Sequence, residues 1–376
     1  VLLERAVEAD PDFAEAHVLL STIFFNLGRL EESERHTALA LRHGDRLPPM
    51  SRYNLEGRDN SFREEDFGKA IEAFRASVDL GRTPNNLCIR LYVLERYDEA
   101  IHLFESQLET GAFGSTRGFS NLAHLYVAAG EYDKANSLYQ KMAAIFSEDA
   151  ITYRYLGEFY IFWNKLDQAA EAFERADTLL PSNEETHLGR WYIHLLQDEW
   201  QSAKSKADEL TRFTQTRWSY QGYVNNALLY LLRGTSTKAS ESLAQARGVY
   251  ESPGLLTARA HVVTGHLLTE TGRFPEAIDH AQTAQEIATG NPPEWEGLFI
   301  EGLALSRQGN AEEAKDIAER LKERSSKIPT QKEIRRCEHL LGEILLQEGD
   351  VDTAIRHLVT AASMLPARGL GGNLYF

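Results

Sequence analysis

The chain has 376 residues, 43% of them hydrophobic and 26% charged, with a formal net charge of -16. This composition excludes extended disorder, and the acidic balance excludes broad binding of a nucleic-acid backbone, which needs a lysine and arginine excess on at least one face. Basic peptides are better matched as partners, and no segment reaches the roughly 18 apolar residues that a membrane span requires.

The opening stretch, Val1 to Pro11 (VLLERAVEADP), reads as one helix with Ala6 at a small position and Pro11 as its stop. It looks like the second half of a helix pair whose first half is missing. The chain starts at Val1 rather than Met, with no leader-like segment, and is expected to be a piece of something longer. From Ala14 a fuller pattern begins: Leu20-Ser21, Phe24, Gly28 and Ser33. Its clearest copy is Thr116 to Asp149, where Leu122-Ala123, Tyr126, Gly130, Tyr132, Ala135 and Tyr139 trace two amphipathic helices with apolar residues at three-and-four spacing.

The small residue early in each second helix recurs as Ser33, Ala70, Ala100, Ala135, Ala169, Ala203, Ala239, Ala277, Ala314 and Ala354. Phe74, Phe104, Tyr139, Phe173, Leu243 and Leu358 follow four residues behind several of these markers. Small residues let two antiparallel helices approach closely, and the larger partner fills the space toward the next unit. Gly28, Gly130, Gly234, Gly272, Gly309 and Gly349 stand where a first helix must end and a left-handed cap favours glycine. Pro275 suits the first turn of a helix. The third unit, Gly81 to Gly111, is short and implies clipped helices or a clipped connection. In the sixth, Leu188-Gly189 and Tyr192 suggest one register and Ala203 another. We expect the former, with a lengthened turn through Leu196 to Trp200, because counting back from Ala203 would put Trp191 at the small position. Polar connectors are expected at Thr211 to Ser219, Val249 to Leu255 and Ser325 to Thr330. The end, Gly371 to Phe376, resembles a protease-site linker of a tagged protein.

Together these features resemble the tetratricopeptide repeat, whose unit of about 34 residues carries L-G-x2-Y on its first helix and A-x3-F on its second. The resemblance implies an all-α fold, a right-handed α-solenoid superhelix of about ten helix pairs. On this reading residues 1–11 are a partial repeat, and units start near 14, 51, 83, 116, 150, 182, 220, 258, 295 and 335 of a single solenoid ending at 366, with 367–376 as a tail. A weaker resemblance, carried by Asp45 to Gly57 (DRLPPMSRYNLEG), is to repeat regions of multidomain bacterial signalling proteins.

Nothing in the sequence looks catalytic: no G-x-S-x-G, phosphate loop, H-E-x-x-H or C-x-x-C occurs. His261 and His266 point apart on a helix, and His187 with His194 lie two turns apart, so neither pair suits a metal. Acid pairs such as Glu31-Glu32, Glu64-Glu65 and Glu312-Glu313 precede second helices and complement their N-terminal dipoles. Cys88 and Cys337 read as packing residues, compatible with a cytoplasmic location but leaving an extracytoplasmic one open. No cofactor is expected.

The family's binding groove is lined by first helices. Carried over position by position, it comprises Arg117, Ser120, Asn121 and His124 in the fourth unit, and Arg154, Tyr155, Glu158 and Phe162 in the fifth. His187, Arg190 and His194 follow in the sixth, then Asn225, Arg259, His266 and His339. The lysine and asparagine set with which some members grip chaperone tails is absent. The expectation is a non-enzymatic module binding a protein or peptide, in the sensing or recruiting region of a larger signalling protein. The alternatives are a passive scaffold, self-associating through Val1 to Ala9 or Ala354 to Leu365, and a small-ligand or peptide sensor that switches superhelical shape.

Overall fold

Ten small residues fix the architecture. Ser33, Ala70, Ala100, Ala135, Ala169, Ala203, Ala239, Ala277, Ala314 and Ala354 are each at most 1% exposed, and each sits near the start of the second helix of an antiparallel pair. The computed structural model describes residues 2–26, 30–61, 66–109, 116–181, 183–249, 254–327 and 331–364, and the described residues are all-α.

They form two compact units, Val1–Phe113 and Gly114–Phe376. The first holds α1 (Leu2–Ala9) and three pairs, α2 (Ala14–Asn26) with α3 (Leu30–Arg42), α4 (Pro49–Asp59) with α5 (Phe67–Asp79), and α6 (Asn85–Val93) with α7 (Tyr97–Glu109). The second holds seven pairs. These are α8 (Thr116–Ala128) with α9 (Tyr132–Ile145), α10 (Ala150–Phe162) with α11 (Leu166–Leu179), α12 (Glu184–Leu196) with α13 (Trp200–Leu210), and α14 (Thr216–Leu232) with α15 (Ser236–Gly248). They continue through α16 (Leu255–Glu270) with α17 (Phe274–Ile287), α18 (Pro292–Gln308) with α19 (Ala311–Lys327), and α20 (Gln331–Glu348) with α21 (Val351–Ser363). Within each unit every second helix but the last packs on its partner and on the first helix of the next pair, so apolar faces are covered by neighbours in sequence, as a repeat array requires.

One register runs through nine pairs. A first-helix residue lies twelve positions ahead of the marker: Ser21, Cys88, Ala123, Gly157, Trp191, Ala227, Gly265, Gly302 and Gly342. Seven positions after it, in every pair from the third to the tenth, stands a residue with left-handed backbone. These are Glu95 (φ 58°), Gly130 (80°), Asn164 (56°), Asp198 (59°), Gly234 (70°), Gly272 (74°), Gly309 (95°) and Gly349 (85°). That residue reverses the chain while the first-helix carbonyls are still being capped. The expected glycine caps adopt this conformation, except Gly28, which lies outside the described residues. Close approach explains the small first-helix residues. A Cβ built on Gly57 would meet the Phe74 ring at 2.5 Å, one on Gly342 would meet the Leu358 side chain at 2.6 Å, and one on Gly157 would meet the Phe173 ring at 2.9 Å.

The sixth pair corrects the expected register. Residues 197–199 connect α12 to α13, the same length as 163–165 before α11, so there is no lengthened turn. Trp191, 1% exposed, occupies the small position and packs in one apolar cluster with Ala203, Ala207 and Leu210. The ring fits because Ala203 and Ala207, one turn apart on the facing helix, leave room for it. Gly189 is small for another reason: it abuts the Phe173 ring of the preceding pair. Two expected connectors are also partly helical, since α14 starts at Thr216 and α19 continues to Lys327. In the third pair it is the first helix that is clipped, with nine residues in α6, while the connection of residues 94–96 has the usual length.

Candidate functional site

In the second unit the first helices α8, α10 and α12 touch one another in succession. Residues at equivalent turns therefore share one face, whose middle is a cluster built around Arg154. Its Nη1 lies 2.6 Å from Glu158 Oε1, one turn along α10, and its Nε lies 2.9 Å from Glu185 Oε2 on α12. The guanidinium carbon stands 4.1 Å from the centre of the Tyr155 ring. His124 of α8 meets Tyr155 edge-on at 5.8 Å and Tyr139 of α9 at 6.4 Å.

Burial dominates the electrostatics. Arg154 is 7% exposed. Desolvation, with the Arg154 charge beside it, lowers His124 to about 4, so the ring is neutral at ordinary pH. Burial pushes the Glu158 carboxyl up against the pull of Arg154, and burial and the nearby Glu158 charge hold the Tyr139 phenol well above its usual range. The Tyr139 Oη has no hydrogen-bond partner among the described residues.

Around this centre Arg117 is exposed, while Asn121 and Phe162 are half-buried at the two ends of the face. Ser120 is buried and donates to the Arg117 carbonyl at 3.1 Å. The structure thus gathers His124, Arg154, Tyr155 and Glu158, and adds Tyr139 and Glu185. Glu185 lies outside the expected set because that set follows the Gly189 register of the sixth unit. With Trp191 at the small position, Glu185 stands where Arg117 does on α8, six residues ahead, and Tyr192 stands where His124 does, one residue behind.

The residues selected in that other register are engaged elsewhere. His187 Nδ1 is 2.9 Å from Glu209 Oε2 on α13, Arg190 Nη2 is 2.7 Å from Asp177 Oδ2 on α11, and His194 Nδ1 is 2.7 Å from Glu199 Oε2. Asn225 is 2% exposed; its Oδ1 accepts from Gln221 Nε2 at 2.8 Å, and its Nδ2 has no partner among the described residues. Further along, Arg259 and His266 are exposed, and His339 contacts Glu343 at 3.6 Å and the Phe299 ring at 5.5 Å. Among the described residues no three His, Cys, Asp or Glu side chains are arranged to hold a metal ion, and no helix is long and apolar enough to cross a membrane.

Stacked helix pairs with a mixed polar and aromatic face along their first helices define an interaction fold. A family model for the tetratricopeptide repeat matches residues 2–47 and 225–292, and a second of the same description matches 119–145. The chain is a tetratricopeptide-repeat protein, of a class whose members generally serve protein interaction and scaffolding rather than catalysis. No curated protein matches it. Similar solved structures include the Cut9-Hcn1 hetero-tetramer of the APC/C, at 16% identity over 96% of this chain and 75% of that one, with a TM-score of 0.46. A tetratricopeptide repeat protein from Parabacteroides merdae is similar at 16% identity over 78% and 98%, TM-score 0.46. Yeast Tom70 is similar at 14% identity over 94% and 92%, TM-score 0.41.

Proposed function

We propose that the chain binds a peptide segment of a partner protein on the face formed by α8, α10 and α12. The observation that carries this reading is the Arg154–Glu185 ion pair, which bridges α10 and α12 and makes the face one continuous surface rather than a row of separate helices. Beside it, Arg117, Asn121, Tyr155 and Phe162 offer a guanidinium, an amide and two rings. An amide matches a peptide backbone because it donates and accepts together.

The partner segment is basic. The basic side chains on or beside this face at Arg154, His187, Arg190 and His194 are already matched by carboxylates, and the chain as a whole is acidic. A carboxylate-bearing ligand would have to displace one of these pairs or turn to Arg117 at the edge of the face, whereas a lysine or arginine side chain meets the carboxylates of Glu158 and Glu185. In the cell the module serves as the sensing or recruiting region of a larger signalling protein.

The test is a peptide array of basic and acidic sequences probed with the chain and with its Asn121→Ala/Phe162→Ala variant. We expect capture of basic peptides, weakened in the variant. Equal capture by the variant, with helicity unchanged by circular dichroism, would sink the site assignment.

A further inference from the structure

Two helix pairs are closed by a contact between imidazoles. His17 Nδ1 lies 2.8 Å from His36 Nδ1, joining α2 to α3, and His261 Nδ1 lies 2.8 Å from His280 Nδ1, joining α16 to α17. Both contacts span nineteen residues and occupy one place in the repeat, four residues before the small first-helix residue and three after the second-helix marker. In the last pair the same place holds Glu338 and His357, with Nδ1 2.7 Å from Oε2.

Such a contact holds one proton between two nitrogens. In the first pair the assignment follows from the surroundings: His17 Nε2 is 3.0 Å from the Pro11 carbonyl, which can only accept. The neutral His17 therefore presents a bare Nδ1, and His36 donates to it. One further proton can be held on the outer nitrogen of the donor ring. A second sets two N–H groups of like charge face to face at hydrogen-bond distance, and the contact must open. The Glu338–His357 contact behaves oppositely, since protonation of His357 creates an ion pair.

We propose that His17–His36 and His261–His280 are acid-operated clasps, each closing one helix pair and releasing it when both rings are charged. The surroundings favour this. His17 and His36 are 4% and 7% exposed, and Phe24 stacks on the His36 ring. Charged neighbours of this clasp are Arg35 and Glu32 on α3, and Asp12, in contact with His43, flanks α2 and α3. Arg58 reaches from α4 to Ser21 and Thr22, and α1, packed on α2, carries Glu4, Arg5 and Glu8. Around His261–His280 stand Arg247 on α15, Arg273 and Glu276 at the start of α17, and Arg259 on α16, while Glu301 of α18 is bonded to Gln282 and Gln285. Burial and the Arg247 charge lower His280 to about 4, and burial lowers His36 and His261. All three directions keep the clasps neutral and closed near neutrality and make the open form the better proton acceptor in acid.

The experiment is hydrogen–deuterium exchange on the whole chain, corrected for the intrinsic rate, between about pH 7 and about pH 5, the range in which an unperturbed histidine titrates. Protection of α2–α3 and α16–α17 is expected to fall about tenfold per pH unit for each extra proton that the open form binds, while α20–α21 is not weakened. His261→Glu, which copies the Glu338–His357 arrangement, is expected to cut the acid loss in α16–α17 to the part owed to His266, which burial also lowers, and to leave that in α2–α3. Should that variant not fold, His261→Asn, which cannot titrate, is expected to make the α16–α17 loss about tenfold smaller per pH unit. An acid loss in α16–α17 that persists undiminished in His261→Glu or His261→Asn, or that appears equally in α20–α21, overturns the proposal.

Discussion

Trp191 lies opposite Ala203 at the position that eight other helix pairs give to Ser, Cys, Ala or Gly. The indole is 1% exposed, and its Nε1 has no hydrogen-bond partner among the described residues. Size at this position is therefore balanced by Ala203 and Ala207. Trp191→Ala should cost about 3–5 kcal/mol through the cavity it leaves. Trp191→Phe should cost clearly less, because it also removes an unsatisfied donor, and Ala203→Leu should cost about 1–3 kcal/mol by overpacking. Urea denaturation of the three variants checks the order.

Glu95 and Asp198 carry side chains at a turn position where five other pairs use glycine in the same left-handed conformation. Glycine relieves that conformation at the cost of a more flexible unfolded chain. Where the left-handed backbone is fixed by the fold, relief prevails, and Glu95→Gly should raise stability by about 0.5–1 kcal/mol. Gly130→Ala, the reverse change at φ 80°, should lower it by about 1–2 kcal/mol. The shift of the denaturation midpoint reports both.

Arg154 makes a poor probe of binding even though it lies on the proposed face. Removing it takes the cation from Glu158, 13% exposed, and from the partly exposed Glu185, which should cost about 3 kcal/mol. Asn121→Ala, at a half-buried position, should cost under about 1 kcal/mol. Thermal unfolding of the two variants distinguishes a structural loss from a binding loss before any partner is added.

His124 gives stability a pH dependence of defined sign. Its folded value, about 4, lies below the unfolded value of about 6.5, so between these limits the unfolded chain binds the extra proton. Stability from this group is complete above about pH 6.5 and falls as the pH drops toward about 4. His124→Phe should flatten that part of the curve, as read from denaturation midpoints across the range.

Burial raises the Cys88 thiol to about 12 and the Cys337 thiol to about 11. Thiolate is the reactive form, so neither should react with a disulfide reagent in the native chain at neutral pH, and both should react on unfolding. Rapid labelling under native conditions would contradict the packing at Ala100 and Ala318, whose carbonyls the two sulfurs face at 3.7 Å.

The helix pairs were legible because their markers are compositional. A chain crossing that needs a small residue leaves Ser33 or Ala169 in the sequence, and a left-handed cap leaves Gly130 or Gly309. Glu95, Asn164 and Asp198 take that same cap without glycine, which hid the turn length in the sixth pair. The site suffered from that one error. Reading Gly189 as the small position moved the α12 residues by two, selecting His187, Arg190 and His194, which pair with acids, and passing over Glu185. Ion pairing between repeats has no spacing rule to betray it: Arg154 and Glu185 are brought together by stacking. The two imidazole clasps share a nineteen-residue interval, but that interval acquires meaning only when one helix is seen folded against the next.

The most direct test of the binding face places a photo-reactive amino acid at Asn121, at Tyr192 on the same face, and at Glu174, which is exposed on second helix α11. After irradiation in a cell extract, the account predicts one common partner protein joined to the chain from positions 121 and 192 and none from 174. Equal yield of that partner from 174, or its absence from both 121 and 192 while the chain still captures it, would contradict a binding face on α8, α10 and α12.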